Sequence, residues 1–308
     1  MIVRTRKTYK PKIGLALSGG GIRGLTHIGV LKALVSNGIK IDFISGTSAG
    51  AVIAALFACG YTTYQMEELA KKIKTTDLID LRITVSDLFK YGIQSLVGSD
   101  ARFWSTIPNG IVKGDRIERY FNTLWNSRTV KETNIPLSIT AVDINTADTV
   151  FFTTPFKKKY QVMNTRYYHN ITLTDAVRSS ISIPGVFFPK RYQDMSLVDG
   201  AVKNNLPTDI LHHMGADIII AVDLGYNGHF VNNLRSVGEI VMQCIDIMNR
   251  EVTLLKAEKY ANIIIRPEVF DVNYKDIKQA MEAIIRGEEA TRCKIPEIIE
   301  QIYNYSIQ

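Results

Sequence analysis

Two stretches near the N-terminus hold residues whose types and spacing could do chemistry. Gly46-Thr47-Ser48-Ala49-Gly50 reads G-x-S-x-G, between the short β-leaning run Ile41-Asp42-Phe43-Ile44-Ser45 and an Ala-rich helical run over 51–59. Strand, sharp turn, helix is the context in which such a serine lifts its hydroxyl away from a sheet, the glycines removing side chains that would collide in the bend. Ser48 is therefore the candidate nucleophile. The second stretch, Ser18-Gly19-Gly20-Gly21-Ile22-Arg23-Gly24, follows the buried-strand run Ile13–Leu17 and opens a helix expected over 25–36. Backbone N–H groups in such a loop are unscreened and lie near the positive end of the helix dipole, so the loop suits an anion.

Two anions fit. Gly19, Gly21 and Gly24 satisfy G-x-G-x-x-G after a strand, with Asp42 at a distance suited to a ribose contact, so a dinucleotide pyrophosphate is one. Asp42, however, stands before the second strand, whereas the dinucleotide fold wants its acid at that strand's end. The other is the oxyanion of an acyl-transfer intermediate, held by backbone N–H groups around Gly19, Gly20, Gly21 and Ala49. That reading uses both motifs; the dinucleotide reading leaves Ser48 without a role.

Leu15-Ala16-Leu17-Ser18-Gly19-Gly20-Gly21-Ile22-Arg23-Gly24, then Thr26-His27-Ile28-Gly29-Val30-Leu31, then Gly46-Thr47-Ser48-Ala49-Gly50-Ala51 resemble the patatin-like phospholipase family, its bacterial branch above all. The resemblance implies a Ser-Asp dyad, with the carboxylate much later in the chain in Asp-Gly-Gly or Asp-Gly-Ala. Asp199-Gly200-Ala201 meets this, at the end of a short strand, Met195-Ser196-Leu197-Val198, and ahead of a helix opened by Pro207. The run from Ser179 to Pro189 resembles the family's third block, with Ser179 where members commonly have Ala. Pro184 and Pro189 stiffen a loop carrying Val186, Phe187 and Phe188, residues suited to an acyl pocket or to plain core. Arg23 is placed to anchor the Gly-rich loop or to meet an anionic headgroup.

These residues need a sheet with two covered faces. Ala216-Asp217-Ile218-Ile219-Ile220-Ala221-Val222-Asp223 and Ala261-Asn262-Ile263-Ile264-Ile265-Arg266 are continuous apolar runs, as in strands buried on both sides. Runs over 135–142 and 149–152, joined by a polar turn, predict a hairpin on an otherwise parallel sheet. Helices are expected over 61–74, 115–125, 172–180, 207–214, 233–259 and 275–302, the last interrupted near Pro296. Residues 78–112 mix aromatics with polar residues and glycines, a pattern that fits a lid or an irregular surface excursion. The fold class predicted is three-layer α/β, with helices on both faces of a mainly parallel sheet. A flexible basic arm over 1–12 is expected to precede one catalytic domain over 13–308. Its motifs fall in 13–205, and 206–308 completes the sheet and helical layers.

The composition agrees with this. With 308 residues, 46% hydrophobic and 22% charged, the chain can bury a sizeable core. The longest apolar stretch is well short of the roughly 18 residues that cross a bilayer, and the N-terminus lacks an apolar signal region. A cytoplasmic protein, peripheral at membranes, is the expectation. The net charge of +7, with five basic residues among the first twelve, favours anionic partners. No nucleic-acid motif is present, so a lipid surface is the expected partner. Three dispersed cysteines suggest neither a disulfide framework nor a zinc site, and no metal or cofactor is required.

The expected activity is serine-dependent hydrolysis of phospholipid or other acyl-lipid esters through an acyl-enzyme. Two alternatives stand beside it, a lipid-binding regulator with weak turnover and the dinucleotide-binding protein. A Ser-His-Asp triad in the usual hydrolase order would draw its histidine from His212, His213 or His229, of which His229 follows a strand end.

Overall fold

The computed structural model describes residues 9–72, 110–157, 162–225, 228, 237–271 and 277–307. Most of the proposed excursion over 78–112, residues 1–8 of the basic arm, and His229 lie outside the described residues. Contrary to the expectation of a flexible arm, residues 9–12 are tied down, for the Tyr9 hydroxyl and the Lys12 amide both donate to Asp217 at 2.8 Å.

A nine-stranded sheet organises the described chain. Its strands are β1 (Ile13–Leu17), β2 (Phe43–Thr47), β3 (Leu137–Asp143), β4 (Asp148–Thr153), β5 (Thr165–Tyr168), β6 (Lys190–Tyr192), β7 (Met195–Asp199), β8 (Ile218–Val222) and β9 (Ile263–Ile265). The main path runs β5-β4-β3-β2-β1-β8-β9, and the β2-β1-β8-β9 region is parallel. The predicted hairpin is β3 and β4, antiparallel from Ser138 opposite Thr153 to Asp143 opposite Asp148. On its other flank, β3 changes partner partway along its length. Its first half pairs in parallel with β2, ending with Thr140 opposite Thr47. Its second half pairs antiparallel with β7, where Ala141 stands opposite Asp199. Two strands thus approach each other end to end along one flank of β3.

Helices cover both faces. They are α1 (Thr26–Ser36), α2 (Ala49–Ala58), α3 (Thr63–Lys72), α4 (Asp115–Trp125), α5 (Leu173–Ser180), α6 (Ala201–Asn204), α7 (Thr208–Met214), α8 (Val237–Tyr260) and α9 (Ile277–Ser306). Alternation along the strands divides the core. Leu15, Leu17, Ile220 and Val222 pack with residues of α1, α2, α4, α5 and α9, while Ala16, Ile219 and Ala221 pack with Ile210, Leu211 and Met214 of α7 and Ala257 of α8. This is the three-layer α/β architecture read from the continuous apolar strands.

Two features differ from expectation. The last helix is not interrupted at Pro296 but continues through it to Ser306. A proline inside a helix costs about 3 kcal/mol. Packing of α9 along α1, with Lys32 bridging to Glu288 at 3.1 Å and Ile284, Ile295 and Ile298 buried, holds the helix together across that site. The strands β5 and β6 were not foreseen. Both are short and lack a fully buried face, so no apolar period marks them.

Candidate active site

Ser48 occupies the turn between β2 and α2 with φ 54° and ψ −123°, a left-handed conformation that is strained for a residue with a side chain. The turn can be this tight because both flanking positions are glycine. A Cβ on Gly46 would run into the Gly50 carbonyl, and one on Gly50 into the Leu17 carbonyl. Ser48 is buried, and its amide donates to Ser180 Oγ at 2.9 Å.

Asp199 ends β7 and is also buried. Its Oδ1 accepts the Ala201 N–H at 2.8 Å, and its own amide donates to the Ser182 carbonyl at 2.9 Å. Burial pushes the Asp199 carboxyl up from 3.8 to about 6, while hydrogen bonding from the Ser48 hydroxyl and from the Ala201 N–H pulls it back down. Near neutral pH the group is therefore ionised, yet far more basic than an ordinary aspartate.

The Gly-rich loop leaves β1 beside this pair. The Gly19 N–H is held by Asn205, donating to its backbone carbonyl at 3.2 Å and its Oδ1 at 3.1 Å, so Gly19 shapes the loop rather than offering a free donor. The amides of Gly20, Gly21 and Ala49 have no protein acceptor among the described residues. Ser18 anchors the loop's other side, its Oγ accepting the Leu224 N–H at 2.8 Å. His27 Nε2 donates to the Ser18 carbonyl at 2.8 Å, and complete burial pushes this imidazole down to about 4, so it is a neutral structural donor. Arg23 Nε donates to the Gly20 carbonyl at 3.2 Å, a contact on the Gly-rich loop itself. Asp42, the acid of the dinucleotide reading, accepts the Ile13 amide at 3.0 Å at the start of β1, the end of that strand away from the Gly-rich loop.

A cavity of about 580 Å³ is lined by Gly19, Gly20, Gly21, Ser48 and Asp199 together. Ile183 and Pro184 line it from the stiffened loop. Phe187 does not; its ring lies 5.0 Å from the guanidinium of buried Arg178. Arg178 in turn donates to Ser182 Oγ at 2.6 Å, and to the carbonyls of Lys113 at 2.6 Å and Phe188 at 3.1 Å. Phe187 thus anchors the loop through Arg178. The far wall of the cavity comes from α8 and from 266–270, regions the sequence marked only as a helix and the end of a strand.

Sequence reasoning missed Ser180, Asn205 and Arg178. Each acts on a partner distant in the chain, although all three lie in or beside a recognised block. Among the described residues no histidine lines the cavity: His169 bonds the Thr153 carbonyl, and His212 and His213 lie late in α7.

A family model described as patatin-like phospholipase matches residues 15–212. An uncharacterized NTE family protein of Mycobacterium tuberculosis is 26% identical over 94% of this chain and 47% of its own length. Lysophospholipase NTE1 of Yarrowia lipolytica is 32% identical over 69% of this chain and 13% of its own. The chain thus spans less than half the length of these curated relatives. Among solved structures, human GIVD cytosolic phospholipase A2 aligns with a TM-score of 0.48 at 11% identity, covering 96% of this chain and 60% of that one. With both glycine-flanked motifs inside the matched segment, the chain belongs to the patatin-like phospholipase family.

Proposed function

We propose that this protein is a serine-dependent lipid acyl hydrolase, cleaving carboxylic ester bonds of phospholipids or related acyl lipids with Ser48 and Asp199 as a catalytic dyad. Ser48 Oγ attacks the ester carbonyl while Asp199 takes its proton, and the amides of Gly20, Gly21 and Ala49 receive the developing oxyanion. The alcohol leaves with the proton from Asp199, giving an acyl-enzyme. Water then attacks the acyl carbon as Asp199 accepts its proton, and when the acyl C–Oγ bond breaks to release the fatty acid, Asp199 returns that proton to Ser48 Oγ.

The observation that carries this reading is the convergence, in one cavity, of a strained elbow serine and a buried carboxylate with pKa about 6. A base poised near working pH combines the ionised form with real proton affinity. Family membership and the similarity to lysophospholipase NTE1 of Yarrowia lipolytica support a lipid substrate. A fluorophosphonate probe should add its mass to the peptide containing Ser48 and leave Ser48→Ala unmodified. Undiminished labelling of Ser48→Ala would overturn the assignment.

The reading includes peripheral contact with anionic membranes, motivated by the net charge of +7 and the basic N-terminus. No helix among the described residues is long and apolar enough to cross a membrane. Flotation with anionic vesicles should weaken with added salt and with deletion of residues 1–10; binding that is absent, or unmoved by both changes, counts against it.

A further inference from the structure

The helix α8 lies outside the segment matched by the family model, yet it forms a wall of the catalytic cavity. Ile245, Asp246, Asn249, Arg250, Thr253 and Leu254 line it, pairs of residues one turn apart and so a single helix face. Three arginines reach this cavity, and their surroundings differ. Arg23 is bonded to the Gly20 carbonyl, stacked 5.0 Å from the Phe270 ring, and felt electrostatically by Asp246. Arg266 is paired with Asp223 at 3.2 Å. Arg250 has neither hydrogen bond nor ion pair among the described residues, and its guanidinium occupies the space that a Cβ on Gly228 would take. One turn further along, Thr253 is 5% exposed and its Oγ1 has no hydrogen-bond partner.

A half-buried guanidinium without a counter-charge is costly unless a ligand supplies one. A hydroxyl without a partner on the same helix face points the same way. We propose that Arg250, assisted by Thr253, forms a subsite for the phosphate group of a lipid substrate whose acyl ester lies at Ser48. This deepens the hydrolase reading and rests on it. Arg250 supplies a planar pair of N–H donors suited to two phosphate oxygens, and Thr253 gains an acceptor by rotating about χ1. Arg250 acts on substrate choice, since it selects lipids that carry phosphate over uncharged ones of equal chain length.

The test compares kcat/KM for a lysophospholipid and for a monoacylglycerol with the same acyl chain. In Arg250→Gln the ratio of the two should fall roughly 10- to 100-fold, the range of a charge-assisted hydrogen bond, with partial recovery in Arg250→Lys. An unchanged ratio, whether both rates hold or both fall together, overturns the subsite. A site for free phosphate would instead appear as thermal stabilisation by inorganic phosphate that Arg250→Gln abolishes while the ratio stays put, and that result overturns the headgroup assignment. If wild type cleaves neither ester, the hydrolase reading fails on its own terms. Calorimetric binding of the lysophospholipid to Ser48→Ala then decides the subsite, which requires weaker binding when Arg250→Gln is added.

Discussion

Ser180 Oγ accepts the amide N–H of Ser48 at 2.9 Å, and two residues on, the Ser182 carbonyl accepts the amide of Asp199 at the same distance. A single segment at the end of α5 therefore holds Ser48 and Asp199, although 151 positions separate the two in the chain. Ser182 is itself braced by the buried guanidinium of Arg178. Ser48 and Asp199 are thus positioned from outside the two strands that carry them.

Removing the Ser180 hydroxyl should uncouple this clamp. Ser180→Ala leaves the Ser48 amide buried without its acceptor, which costs about 1–3 kcal/mol of stability. Because the elbow is strained, the loss should also let Ser48 drift and lower kcat roughly 10- to 100-fold with little change in KM. Paired denaturation and steady-state assays check this; a kcat equal to wild type would mean that the elbow holds its geometry unaided.

Asp199 should make the fold less stable as the pH rises. Its folded pKa, about 6, is above the ordinary 3.8, so between those values the folded chain binds the proton that the unfolded chain has released. Stability is therefore lost as pH climbs through this window, and the full cost, on the order of 3 kcal/mol, is present above it. Asp199→Asn keeps an oxygen for the Ala201 amide without the buried charge. It should melt higher than wild type at pH 8, with the gap closing toward pH 4, whereas a gap that does not vary with pH contradicts a perturbed carboxyl here. In wild type, kcat/KM should fall below about pH 6 as the base becomes protonated.

What the sequence made legible was what could be stated locally. The G-x-S-x-G turn and the Gly-rich loop announce themselves within a few residues, because backbone geometry dictates their composition, whereas Asp199-Gly200-Ala201 reads locally as an ordinary turn and stood out only through the family resemblance. The parallel strands were legible for a related reason, their unbroken runs of Ile, Val and Ala. Partners such as Asn205 for Gly19 or Ser180 for Ser48 had no such mark, since a hydrogen bond across 186 or 132 positions leaves no trace in the local pattern. The cavity face of α8 was hidden too. Asp246, Arg250 and Thr253 read as ordinary polar positions on a helix until the fold set them opposite Ser48. Pro296 misled in the other direction, because a local helix breaker was overridden by packing against α1.

Whether Ser48 works with Asp199 alone is tested most directly by one comparison. Turnover of the same short-chain ester should be measured for Asp199→Asn and for His229→Gln, with circular dichroism confirming each fold. The dyad requires Asp199→Asn to lose about 10²- to 10⁴-fold in kcat, the usual contribution of a general base, while His229→Gln stays near wild type. Collapse of His229→Gln with its fold intact would make this a triad enzyme and contradict the assignment of Asp199 as the base.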